Sequence, residues 1–101
     1  MTRVFLATEA SLDIDAIWAY LEPRNPTAAR RMMDRLDARF QLLQQSPESG
    51  EIRDDISRDV RQAIVQPYVI YYRLEPDVVR ILRIVHGARN MPEAFHEPPI
   101  G

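Results

Sequence analysis

Apolar residues change their spacing twice along the chain. Near the start, "RVFLA" (Arg3 to Ala7) carries Val4, Phe5 and Leu6 in a short β-like run. Ala10, Ile14, Ile17 and Leu21 then recur at four, three and four, which lines one face of a helix. Thr8 offers a side-chain oxygen at the expected helix start, Glu9 suits its first turn, and Pro23 marks its end.

A second helix follows at once. Asn25 before Pro26 is a start signal, because proline's fixed φ suits the first helical position and its missing donor is not needed there. Ala28 or Ala29, Met32, Leu36, Phe40 and Leu43 form its apolar stripe, and Pro47 and Gly50 close it. A helix from Pro26 to about Gln45 is ~30 Å long at ~1.5 Å per residue. The short "PRNP" link predicts an antiparallel hairpin.

From "EIRDDIS" onward the period becomes β-like. Val60 to Val65, Tyr68 to Leu74 and Val78 to His86 are β-branched and aromatic runs separated by "QP" and "EPD" turn signals. The predicted fold is α+β: an N-terminal strand, an antiparallel helical hairpin, then a three-stranded antiparallel meander, with the hairpin covering one sheet face. In the run from Tyr68, alternation places Ile70, Tyr72 and Leu74 against the helices and Arg73 on the uncovered face. The last run is apolar on both parities, as in an interior strand. Arg83 and His86 interrupt it on opposite parities, so regular pleating puts them on opposite faces, and a bulge near Arg83 would change that.

Length and composition narrow what this fold can do. A chain of 101 residues fits one domain, 1–101, with 96–101 as a frayed tail carrying Pro98, Pro99 and Gly101. The apolar patch before Thr8 is too short for a signal peptide, and no run is long enough to span a membrane, so the expectation is a soluble cytoplasmic protein. No cysteine is present, which excludes thiolate nucleophiles and cysteine metal sites, and two histidines, His86 and His96, suggest no metal site. No nucleotide loop or other cofactor motif occurs. The net charge of -2 argues against bulk electrostatic grip on nucleic acid. From Arg58 to Arg89, however, six arginines stand against Asp59, Glu75 and Asp77, and all thirteen basic residues are arginine, whose planar forks suit carboxylate or phosphate partners.

Several strings together resemble a known group. "LDIDAIWAYL", "NPTAARRMMDRL", "SPESG", "VRQAIVQPYVIYYRL" and "RILRIVHGARN" look like the ParE branch of the RelE/ParE superfamily, the toxins of type II toxin–antitoxin modules. The resemblance runs from about Phe5 to Phe95, and "HGAR" after "YVIYYR" is its most specific part. It implies a helical hairpin on an antiparallel sheet, and a cognate antitoxin that folds along the surface. It also implies one of two activities: RelE-like members are ribosome-dependent ribonucleases, and ParE-like members poison DNA gyrase. Arg89 lies where ribonuclease members carry an arginine that stabilises the cleaved phosphate. Val69 stands in the place of another of their active-site arginines, and Phe95 where some have a tyrosine.

Each candidate residue has a structural reading beside the functional one. His86 is a strand-end histidine bonded to a carbonyl or carboxylate, or an imidazole titrating near neutral pH. Arg89 caps the final turn or pairs with Glu93, or is presented to a partner beyond the break at Gly87. Arg83 reads as structural, bonded to an acidic side chain or across the sheet. Arg61 and Arg73 are solvated strand residues, or with Arg89 the positive part of the uncovered face. Arg30, Arg31, Arg35 and Arg39, with Asp34 and Asp37 interspersed, read as a mixed-sign wet face of the second helix. Trp18 and one of Met32 and Met33, taken as Met33, are core-edge residues or antitoxin contacts.

The expectation is a ParE-like toxin that acts by binding DNA gyrase through His86, Gly87, Arg89, Arg73 and Arg61. The alternatives are an mRNA interferase acting on the ribosome with His86 and Arg89, and a non-toxic module member that only binds antitoxin.

Overall fold

The computed structural model describes residues 2–87. Along the chain lie β1 (Arg3–Leu6), α1 (Thr8–Leu21), α2 (Pro26–Gln45), a 3-10 turn (Pro47–Ser49), β2 (Glu51–Ile52), β3 (Val60–Val65), β4 (Tyr68–Glu75) and β5 (Val78–His86). Arg89, Glu93, Phe95, His96 and the tail 96–101 lie outside the described residues.

α2 starts as its sequence predicts. The Asn25 Oδ1 accepts a hydrogen bond from the Ala28 N–H at 3.0 Å, satisfying a donor that the first turn leaves free. α1 starts differently: Ala7 occupies the cap position with no side-chain cap bond, and Thr8 is already helical.

The hairpin packs on one sheet face. Ala10 and Ile17 of α1 and Met32, Leu36 and Leu43 of α2 meet Ala63, Val65, Ile70, Tyr72, Val79, Ile81 and Ile84 of the strands in one buried cluster. Alternation along β4 therefore holds: Ile70 and Tyr72 face the helices, with Leu74 packed beside them. The strand order is β1-β5-β4-β3-β2. The meander is antiparallel, but β1 runs parallel to β5, with Leu6 opposite Ile81. A parallel neighbour needs a long crossover, and the helical hairpin is part of it.

Two features were not predicted, and a third, a bulge near Arg83, was raised as the alternative to regular pleating. β2 adds a two-residue edge strand beside β3. The segment between β2 and β3 folds back over the other sheet face, where Ile56 packs with Val60, Tyr71 and Val85 in a second cluster, so that face is covered here. β5 also carries a bulge: Tyr71 lies opposite Arg83 and Tyr72 opposite Ile81, which leaves Leu82 as the extra residue.

The Tyr72 side chain ties the sheet to the end of α2. Its hydroxyl accepts from the Gly50 N–H at 2.9 Å and donates to the Pro47 carbonyl at 2.8 Å. Burial pushes its phenol pKa up, against the opposing pull of Arg61 and Arg39. Gly50 is small because Tyr72 lies against it: a Cβ there would meet the Tyr72 ring and hydroxyl and come within 2.6 Å of the Gln62 carbonyl. We expect Gly50→Ala to lower stability by about 1–3 kcal/mol, the usual cost of overpacking a tight site. Urea unfolding checks this, and an unchanged midpoint would contradict the tight packing.

Candidate functional site at the end of strand β5

β5 continues past its parallel neighbour. The last link to β1's side is the Ala7 N–H donated to the Ile81 carbonyl at 2.9 Å, after which the chain turns into α1. Asp13, on α1, takes over. Its Oδ2 accepts from the Ile84 backbone N–H at 2.8 Å and from Arg83 Nε at 2.8 Å, while its Oδ1 accepts from Arg83 Nη2 at 3.1 Å. The fork fits the carboxylate with both ends, the strongest form of such a pair, and both side chains are largely buried, 25% and 17% exposed. Arg83 is thus structural, as its sequence context suggests. Asp13 had a signal that went unread: it stands three residues after Ala10 and four before Ile17, on the inward side of α1.

The bulge at Leu82 lies before both Arg83 and His86, so Arg83, opposite Tyr71, and His86, opposite Tyr68, keep opposite strand parity, although both border the groove between α1 and the end of β5. His86 is exposed, its ring edge-on to Tyr68 at 5.6 Å. Gly87 closes the β3–β4 end of the hairpin by donating its N–H to the Pro67 carbonyl at 2.7 Å. A Cβ at Gly87 would stand 3.1 Å from that carbonyl oxygen, so a larger residue would press on the turn.

Between α1 and this end of β5 runs a groove of about 670 Å³, lined by Asp13, Ala16, Tyr20, Tyr68 and His86 among others. The Arg24 guanidinium sits 3.9 Å over the Tyr20 ring and donates to the Tyr20 carbonyl at 2.7 Å. Burial first, and Tyr20 second, push the Tyr68 phenol pKa up. The groove is therefore aromatic at its mouth, with its one Asp–Arg pair already mutually satisfied. Neither Tyr20 nor Tyr68 was singled out from the sequence.

Arg61 and Arg73 do not share a face. Arg61 lies opposite Tyr72 on the helix side, where its guanidinium donates to the Glu48 and Gly50 carbonyls at 3.0 and 3.1 Å. Arg73 lies opposite Val60 on the other side and donates to the Arg58 carbonyl at 3.1 Å and to Ser57 Oγ at 3.3 Å. Five residues separate Arg73 from Tyr68 along β4, about 16 Å at ~3.3 Å per residue. A joint cationic surface of the two is corrected by this register: each arginine holds a loop on its own face. Trp18 is 39% exposed on α1. Met32 is the core residue of the methionine pair and Met33 packs at the core's edge.

One further cation escaped notice. Arg53 grips Asp55 with Nε and Nη2 at 2.9 and 2.8 Å and donates Nη1 to Gln62 Oε1 at 2.7 Å. The bond to Asp55 raises its guanidinium pKa beyond its usual value.

This arrangement can be set beside known proteins. The model of the family "ParE toxin of type II toxin-antitoxin system, parDE" matches residues 4–91. The chain is similar to Toxin RelE2 of Caulobacter vibrioides, 36% identical over 88% of this chain and 99% of that protein. It is similar also to Putative toxin Y4kP of Sinorhizobium fredii, 33% identical over 92% and 96%, and to Toxin ParE3 of Caulobacter vibrioides, 30% identical over 90% and 92%. The chain belongs to the ParE family of toxins of type II toxin–antitoxin systems. A solved structure described as "Chromosomal ParDE TA system from P. aeruginosa" shares the fold, with a TM-score of 0.73 and 24% identity over 85% of this chain and 96% of that one. A toxin of this class has a cognate antitoxin as its partner. Among the described residues, no helix is long and apolar enough to cross a membrane.

The Asp13 clamp generates a prediction. Asp13→Ala leaves the Arg83 cation without its carboxylate and the Ile84 N–H without its acceptor, and we expect a loss of about 2–4 kcal/mol in urea unfolding. Asp13→Asn keeps one oxygen acceptor and should lose less. Equal losses would show that the charge, and not the acceptor for Ile84, is the whole effect.

Proposed function

We propose that this toxin acts by binding DNA gyrase, through the strand end formed by His86, Gly87 and Arg89, and that its antitoxin neutralises it. The observation that carries the reading is the setting of Val69. Its position is the one where the resemblance places an active-site arginine in ribonuclease members. Here Val69 lies opposite Ile64 and Val85 and packs on the apolar cluster of Val60, Tyr71 and Val85. Cleavage by a 2′-hydroxyl needs a base, cations for the phosphorane and an acid for the leaving oxygen. A valine in an apolar cluster supplies none of them.

The roles given to His86 and Gly87 rest on their place at the exposed end of β5; that of Arg89, outside the described residues, rests on the resemblance alone. Arg61 and Arg73 hold main-chain carbonyls, which leaves them a secondary part in target contact. Trp18, half-exposed on α1, and Met33 beside the core are the proposed antitoxin contacts.

A supercoiling assay with purified gyrase tests the proposal. The toxin should inhibit supercoiling, Arg89→Ala and His86→Ala should each weaken inhibition by about tenfold, a loss of one good contact, and added antitoxin should restore the enzyme. No inhibition at any excess of folded toxin would overturn it.

A second reading draws on one observation, that His86 is exposed and offers an imidazole at the strand end, with relatives named RelE at this level of similarity. It predicts cleavage of translated message that disappears with His86→Ala. Intact message in a translation reaction containing folded toxin would remove it.

A further inference from the structure

The groove between α1 and the end of β5 has apolar sides and a basic rim. Ala16, Leu21 and Ile84 line it, and Tyr20 and Tyr68 stand at its mouth. Tyr20 is 57% exposed, a large ring turned to water on a helix whose Ala10 and Ile17 are packed in the core. On the rim, Arg24 spends one donor on the Tyr20 carbonyl and takes part in no ion pair among the described residues. Its remaining N–H groups suit a carboxylate. The site thus fits an apolar ring with an acid close beside it.

The chain itself continues from this spot. Gly87 ends β5 hydrogen-bonded to the Pro67 carbonyl, and Pro67, Tyr68 and His86 all line the groove. Beyond it run residues 88–101, "ARNMPEAFHEPPIG". Phe95 supplies a phenyl ring there, and Glu97 follows two positions on. In an extended segment those two side chains share a side, ~7 Å apart. Asn90 and Pro92, between Gly87 and Phe95, are turn formers. The eight residues from Gly87 to Phe95 reach up to ~26 Å at ~3.3 Å each, against ~12 Å for the stretch of α1 from Asp13 to Leu21. The segment is long enough to turn back and lie in the groove. The family model ends its match at residue 91, so Phe95 and Glu97 fall beyond the pattern that defines the family.

We propose that the groove is filled by this chain's own C-terminal segment, with the Phe95 ring between Tyr20 and Tyr68 and the Glu97 carboxylate on Arg24. A ring packed on two tyrosines takes apolar surface out of water on both sides. Tethering favours this occupant: a segment joined through a short linker is present at an effective concentration in the millimolar range, which a separate peptide seldom matches. Docking closes residues 88–94, Arg89 among them, into a loop at the strand end. The inference goes beyond the reading of the target and holds whether or not gyrase is inhibited.

The test is NMR of the full-length, isotope-labelled chain. Nuclear Overhauser contacts should join the Phe95 ring to the Tyr20 and Tyr68 rings. Isotope-filtered spectra of mixed labelled and unlabelled protein should show these contacts within a molecule and not between molecules. Phe95→Ala should shift the Tyr20 and Tyr68 ring signals and leave those of Ile64, which alternates with the core residues Ala63 and Val65 along β3, in place. Glu97→Gln should shift the Arg24 Nε–H signal. Phe95 contacts to another surface, contacts only between molecules, or Tyr20 and Tyr68 signals unmoved by Phe95→Ala would each overturn the proposal.

Discussion

β5 runs on to His86 after its parallel partner β1 has ended opposite Ile81, and an interior strand that loses its neighbour exposes backbone donors along that edge. The Asp13 carboxylate answers this with one group: it accepts the Ile84 N–H and holds the Arg83 fork. α1 thereby takes the place of a strand along the last part of β5. Because the helix stands away from the sheet edge where a strand would lie against it, a groove opens beyond the clamp, and Tyr20, Tyr68 and His86 line it. The position of the strand end, and so of everything that follows Gly87, depends on that pair.

The opposite end of the sheet is held by a different device with the same logic. Tyr72 projects from β4 beneath α2 and satisfies the Gly50 donor and the Pro47 acceptor at once. Arg61 takes the Glu48 and Gly50 carbonyls beside it. The connection out of α2 is therefore pinned by side chains from β3 and β4, and it has no need of extensive regular structure of its own. A two-residue β2 suffices.

What could be read from sequence follows from range. α2 was legible to the residue because Asn25 and Pro26 act on their own turn, and the β4 alternation was legible because parity is a local property. The parallel placement of β1 and the fold-back of Arg53 to Asp59 depend on partners far along the chain, and no local pattern announces them. The face assigned to Arg61 failed for the same reason: parity within β3 is visible, but which parity faces the helices is set by its pairing with Tyr72. The strand end was half legible, since Arg83 read as a structural cation but its acceptor, Asp13, stands seventy positions away.

The arginines can be ranked by what already occupies them. Arg53 and Arg80 are bound to neighbouring carboxylates, Arg80 also facing the Phe5 ring at 5.0 Å. Arg83 is clamped by Asp13, and Arg61 and Arg73 hold carbonyls. A guanidinium that already satisfies several acceptors would have to break those bonds to grip a partner, and the lost bonds offset much of the gain. Arg31, Arg35 and Arg39 of α2 take part in no ion pair among the described residues. Charge count along a sequence therefore misjudges where a protein can bind: the stretch from Arg58 to Arg89 carries six arginines against three acids, yet its described arginines are largely occupied by the fold itself.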